Sequence, residues 1–108
     1  MQCLVTGYSG FIGKPLCKTL KDDYQLKLFG RKDSSFGHVF NGSIGADTNY
    51  SEALCGVRCV IHSAARVHVM NDNAVDPLSE FRAINTDGTL KLAEQAAQAG
   101  VKRFIFVS

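Results

Sequence analysis

The 108 residues are the length of one domain, long enough to bury roughly two-thirds of the surface the unfolded chain exposes. Twelve Lys and Arg against ten Asp and Glu give a net charge of +2, and the bases are scattered, which argues against nucleic acid or a membrane surface as partner. No apolar run approaches the roughly eighteen residues of a membrane span, and no basic, apolar, small-residue leader opens the chain, so a cytoplasmic protein is expected.

Gln2 to Thr6 is a short apolar stretch suited to a strand buried on both faces of a parallel sheet. Gly7, Gly10 and Gly13 follow at intervals of three. Phe11, Ile12, Leu16 and Leu20 then take helical spacing to about Lys21, with Pro15 near the helix start, where its missing N–H costs little. Strand, glycine turn and helix start, in that order, are what a dinucleotide pyrophosphate needs. A helix N-terminus offers unpaired N–H groups, and glycine lets the backbone approach the ligand without a Cβ in the way.

After the Asp22-Asp23 turn, Gln25 to Phe29 is a second strand and residues 30–35 a loop. His38 to Ile44 is a weaker third strand, interrupted by Asn41-Gly42. Asp47 to Tyr50 is a loop entering a short helix, Ser51 to Leu54. Cys59 to Ser63 is a fourth strand ending on Ala64-Ala65, and residues 66–75 form a polar loop at the sheet's ligand edge. Asp76-Pro77 supplies an N-cap and a first-position proline for a long helix that ends at Gly100. Leu78, Phe81, Ile84, Leu90, Ala93 and Ala97 mark its expected buried face. Arg103 to Ser108 is a fifth strand. Alternating strands and helices predict an α/β, doubly wound parallel sheet of five strands in order 3-2-1-4-5, with the ligand crevice between strands one and four.

The tip of the second strand bears on cofactor choice. An acid there would accept from an adenosine ribose and favour NAD, but Gly30-Arg31-Lys32 occupies the place. A guanidinium can pair with a 2′-phosphate, so the missing acid and the present base lean toward NADP. The bland alternative is a pair of solvated loop charges, and Asp33 could reach a ribose hydroxyl if the loop folds back. Asp47 is placed either to meet adenine's amine or to cap the short helix. Ser63, Ala64 and Ala65 are small enough to let a flat cofactor lie close. Asn85, Gly88 and Thr89 break helix propensity, a sign of a site or of close packing.

Cys55, Cys59 and His62 raise a metal reading, but no second ligand pair follows at zinc spacing and Cys59 and His62 flank an apolar strand, so none is expected. Cys3 and Cys17 suit small buried side chains. His62 fits a core-edge histidine, and no catalytic constellation can be assembled.

Thr6-Gly-Tyr-Ser-Gly-Phe-Ile-Gly13 resembles the TGxxGFIG motif of extended short-chain dehydrogenases/reductases. Ala46-Asp47, His62 to Ala65, Asn85 to Thr89 and Val101 to Ser108 resemble later blocks in order. The likeness covers the whole chain and is nearest to nucleotide-sugar epimerases/dehydratases, the UDP-glucose 4-epimerase-like group. It implies that Gly7, Gly10, Phe11, Ile12 and Gly13 line the pyrophosphate and Arg31 the adenosine ribose edge. It further implies that Asp47 and Thr48 meet adenine, that Ser63, Ala64 and Ala65 run beside the nicotinamide half, and that Asn85 contacts the cofactor. The family's catalytic serine or threonine and its Tyr-x-x-x-Lys pair are absent, since Tyr8, Tyr24 and Tyr50 have no lysine four residues on. The resemblance thus implies the NAD(P)-binding N-terminal portion of an enzyme on a nucleotide sugar, inactive alone; a non-catalytic redox-sensing or protein-interaction module is the alternative. A homo-oligomer covering strand five or the long helix from Pro77 is also expected.

Overall fold

The computed structural model describes residues 1–45, 47–63 and 86–107. Their strands form one five-stranded sheet in the order β3-β2-β1-β4-β5, every neighbouring pair parallel, as the alternating pattern predicts. The strands are β1 (Gln2–Thr6), β2 (Gln25–Gly30), β3 (His38–Asn41), β4 (Cys59–His62) and β5 (Arg103–Phe106). The helices are α1 (Gly13–Leu20), α2 (Ser51–Leu54) and α3 (Gly88–Gln98).

β1 lies at the centre, pairing with β2 from Gln2↔Gln25 to Thr6↔Phe29 and with β4 from Cys3↔Cys59 to Thr6↔His62. Its side chains alternate between two cores, as a strand's pleat requires. Leu4 joins Phe29, Tyr50, Leu54, Val60, Leu92 and Ala96 on the α2–α3 face. Cys3 and Val5 join Tyr8, Cys17, Leu28 and Ile61 on the α1 face. Burial pushes the Cys3 and Cys17 thiols up to about 11, so both act as packing groups.

Several boundaries differ from expectation, each for a local reason. α1 begins at Gly13 rather than near Phe11, because residues 10–12 are spent in the turn. β3 stops at Asn41; Gly42 donates its N–H to Gly30 O at 3.1 Å, and a Cβ on Gly42 would lie 2.4 Å from the Phe29 ring. β4 stops at His62, after which Ser63 bonds by its N–H and its hydroxyl to Thr6, and β5 ends at Phe106. The loop over residues 66–75 and the helix start at Asp76-Pro77 lie outside the described residues.

The buried face of α3 is also not the expected one. Gly88, Leu92 and Ala96 face the core, whereas Leu90 is 58% exposed and Ala97 is exposed. The helix carries two apolar stripes, and the one containing glycine packs inward. Gly100 ends the helix as expected, at φ +83°, with Val101 N–H bonding to Ala96 O and Gly100 N–H to Ala97 O.

Candidate functional site

The glycine turn joins the C-terminal end of the central strand to α1. Gly7 takes φ +68°, a left-handed conformation that favours glycine, and its carbonyl accepts from Gly10 N–H at 3.1 Å. Gly13 is buried behind this turn: a Cβ there would lie 1.8 Å from Gly7 O, so only glycine lets α1 start so close to β1. The helix has no side-chain cap, its N-cap position being Ile12. Among the described residues the amides of Phe11, Ile12 and Gly13 meet no backbone carbonyl. Phe11 is 98% exposed and Ile12 is half exposed, so neither anchors the helix to the core. Uncapped donors at a helix start, fronted by the exposed Gly10, fit the pyrophosphate of a dinucleotide.

Beside this turn stands the tip of β2. Tyr8 crosses from the turn to the β2 loop, its ring buried and its hydroxyl donating to Lys32 O and accepting from Lys32 N–H at 3.1 Å. Burial raises the Tyr8 phenol above its ordinary value, and the nearby Asp33 charge adds to the rise. Ser9, Lys14, Lys32, Asp33 and Ser34 share with Tyr8 a pocket of about 250 Å³. Arg31 is exposed and does not line that pocket.

At the switch point between β1 and β4, His62 is 1% exposed. Its Nδ1 lies 2.6 Å from Thr6 Oγ1 and its Nε2 2.8 Å from Thr89 Oγ1. Ser63 N–H donates to Thr6 Oγ1 at 3.1 Å, and the Ser63 hydroxyl donates to Thr6 O at 2.5 Å. Burial lowers the His62 pKa, so the ring is neutral at pH 7. The expected core-edge histidine is therefore a fully buried tie between β1, β4 and α3. Thr89, a residue that breaks helix propensity, proves to be its partner, and the buried Gly88 beside it marks close packing. Ala64, Ala65 and Asn85 lie outside the described residues.

Asp47 and Thr48 lie together after β3, lining a polar cleft of about 530 Å³ with Lys91 and Gln95. Asp47 is exposed and does not cap α2; Asn49 Oδ1 accepts from Ser51 N–H at 2.9 Å instead. The Thr48 hydroxyl donates to Ser43 O at 2.7 Å. Gln95 holds this loop to α3, donating from Nε2 to Thr48 O at 2.8 Å and accepting from Tyr50 N–H at 2.6 Å. Gln95 carries no sequence signal, because its partners lie more than forty residues away. Cys55 is exposed while Cys59 and His62 are buried, and among the described residues no three His, Cys, Asp or Glu side chains gather as metal ligands.

This architecture has close counterparts. A UDP-glucose 4-epimerase of Vibrio cholerae is 46% identical over 110 residues, which take in 97% of this chain and 34% of that protein. A short-chain dehydrogenase/reductase superfamily protein of Agrobacterium tumefaciens, solved with bound NAD, superposes with TM-score 0.82 at 30% identity, over 100% of this chain and 32% of its own. MoeE5 in complex with UDP-glucuronic acid and NAD also superposes with TM-score 0.82, at 28% identity, over 100% of this chain and 36% of its own. The chain thus spans about a third of the length of these relatives. The profile of the NAD dependent epimerase/dehydratase family matches residues 3–108. With that match over nearly its whole length, the chain belongs to the NAD dependent epimerase/dehydratase family.

Proposed function

We propose that this chain is the dinucleotide-binding portion of an oxidoreductase that epimerises or dehydrates a nucleotide-linked sugar through transient hydride transfer to NAD(P). The observation that carries the reading is the turn in which Gly13 packs under Gly7 O, leaving an uncapped helix start at the end of the central strand. The bound dinucleotide would supply the hydride acceptor; the chain's own residues bind and orient it. Gly7, Gly10, Phe11, Ile12 and Gly13 present the turn to the pyrophosphate. Asp47 and Thr48 face the adenine end, and Ser63 holds the β4 terminus against β1 beside the nicotinamide half. Ala64, Ala65 and Asn85 complete the assignment. The preferred cofactor is NADP, supported by Gly30 where an acid would select NAD and by the bases Arg31 and Lys32 that follow.

No tyrosine of the 108 residues has a lysine four positions on, so the general acid/base arrangement of the resembled family is missing here, and these residues bind without turnover. Calorimetric titration with NAD and NADP, alongside an epimerase assay on UDP-glucose, tests both halves. Saturable dinucleotide binding with no conversion is expected. Failure to bind either dinucleotide refutes the site, and turnover at enzymatic rates refutes the inactivity. The exposed Ile105 and Phe106 on β5 and Leu90 on α3 support self-association, for which a clean monomer in light scattering would be the contrary result.

A further inference from the structure

Tyr8 belongs to the glycine turn by sequence and to the β2 loop by contact. One hydroxyl satisfies both backbone polar groups of Lys32, donating to its carbonyl and accepting from its N–H. The ring also fills the space over Gly30, where a Cβ would meet Tyr8 Cε1 at 2.7 Å and Oη at 3.0 Å. No acidic side chain fits at position 30 while Tyr8 stands there. Beyond the hydroxyl opens the 250 Å³ pocket, with Ser9 contributed by the turn, Lys14 by the start of α1, and Lys32, Asp33 and Ser34 by the β2 loop. Two ammonium groups against one carboxylate leave its lining net positive.

We infer that Tyr8 is a specificity-determining positioning residue: it holds the β2 loop so that Lys14 and Lys32 flank a phosphomonoester, the 2′-phosphate of the adenosine half, and it bars the acid that would select the unphosphorylated ribose. This role presupposes the dinucleotide site proposed above. Lys14 and Lys32 supply charge-assisted bonds to the phosphate, and the Ser9 and Ser34 hydroxyls can donate to it. Arg31, exposed on the same loop but outside the pocket, adds positive charge at longer range than Lys14 and Lys32. Asp33 at the rim disfavours the phosphate modestly, leaving Lys14 and Lys32 to outweigh it.

The test is calorimetric titration of the chain and its Tyr8→Phe, Lys14→Gln, Lys32→Gln, Arg31→Ala and Asp33→Asn variants with NADP and with NAD, each variant first checked by thermal melting. The chain is expected to bind NADP about tenfold more tightly than NAD. Lys14→Gln and Lys32→Gln each weaken NADP by about fivefold and leave NAD within about twofold. Lys32→Gln keeps the backbone bonds to Tyr8, so it separates charge from scaffold. Tyr8→Phe retains the ring, keeps NAD affinity and lowers the NADP-to-NAD ratio by about threefold. If Tyr8→Phe does not melt as a folded protein, the two exposed lysine variants still decide the matter. Equal affinity for NADP and NAD, with ratios unmoved by the variants, overturns the inference and leaves the dinucleotide reading standing. A larger loss of NADP in Arg31→Ala than in the lysine variants also overturns it, as does loss of NAD in Asp33→Asn. Binding of neither dinucleotide overturns both.

Discussion

Thr6 Oγ1 and His62 Nδ1 lie 2.6 Å apart across the β1–β4 pair, in register as strand partners, and Thr89 closes the other side of the ring from α3 at 2.8 Å. A hydroxyl can donate or accept, so the neutral imidazole is satisfied at both nitrogens without a counter-charge. Three elements that frame the switch point are thereby tied through one uncharged side chain.

Stability is therefore expected to fall on mild acidification. Burial puts the folded His62 pKa below its ordinary 6.5, so between those values the unfolded chain binds more protons than the folded one. The His62 contribution is full above about 6.5, declines as pH falls below it and is lost through the lowered folded value. Urea unfolding midpoints from pH 8 to pH 5 measure this. His62→Gln should flatten the slope in that window; an unchanged slope would mean the ring is not buried neutral.

Thr89→Val should destabilise by about 1–3 kcal/mol, because it keeps the shape of the side chain but leaves His62 Nε2 without its partner. Thr89→Ser retains the hydroxyl and should recover most of the loss in urea titrations. A Thr89→Val protein as stable as the parent would show that the bond to His62 Nε2 contributes nothing to stability.

Much of this arrangement was legible because it is local. The β1 run, the glycine spacing and the Gly100 stop each act within a few residues, and the strand order follows from alternating strands and helices. The buried face of α3 was not legible, since Leu90–Ala93–Ala97 and Gly88–Leu92–Ala96 are both apolar at helical spacing and only packing against the sheet chooses between them. In sequence Tyr8 is only the first of the two unspecified residues of the TGxxGFIG pattern. Its role appears only when Lys32, 24 residues on, is brought against its hydroxyl. Asp47 had two readings from sequence, and the capping one fails because α2 has no side-chain cap, Asn49 Oδ1 instead accepting from Ser51 N–H two residues on.

Gln95 links the loop carrying Asp47 to α3 by using both ends of its amide. Gln95→Glu replaces the donor facing Thr48 O with a second acceptor and should cost about 1–3 kcal/mol. Hydrogen exchange at Tyr50 N–H should change less, because a carboxylate oxygen can still accept from it. Unaltered stability would show that the loop holds without α3.

Gly10→Ala and Gly13→Ala should separate the two functions of the turn. At Gly13 the new Cβ would fall 1.8 Å from Gly7 O and 2.7 Å from its carbon, backbone that cannot yield without moving α1 off β1. A loss on the order of 3 kcal/mol in unfolding is expected, with dinucleotide binding lost alongside it. At Gly10 the nearest atom, Gly7 O, is 3.4 Å from the new Cβ, an ordinary contact, so unfolding should shift by less than about 0.5 kcal/mol. Gly10 faces solvent, where a pyrophosphate would lie against the uncapped amides, so Gly10→Ala should still weaken dinucleotide binding by about tenfold through the added methyl group. Parallel urea and calorimetric titrations read both effects. Full dinucleotide affinity in a folded Gly10→Ala protein would mean that the ligand does not approach the turn from that side.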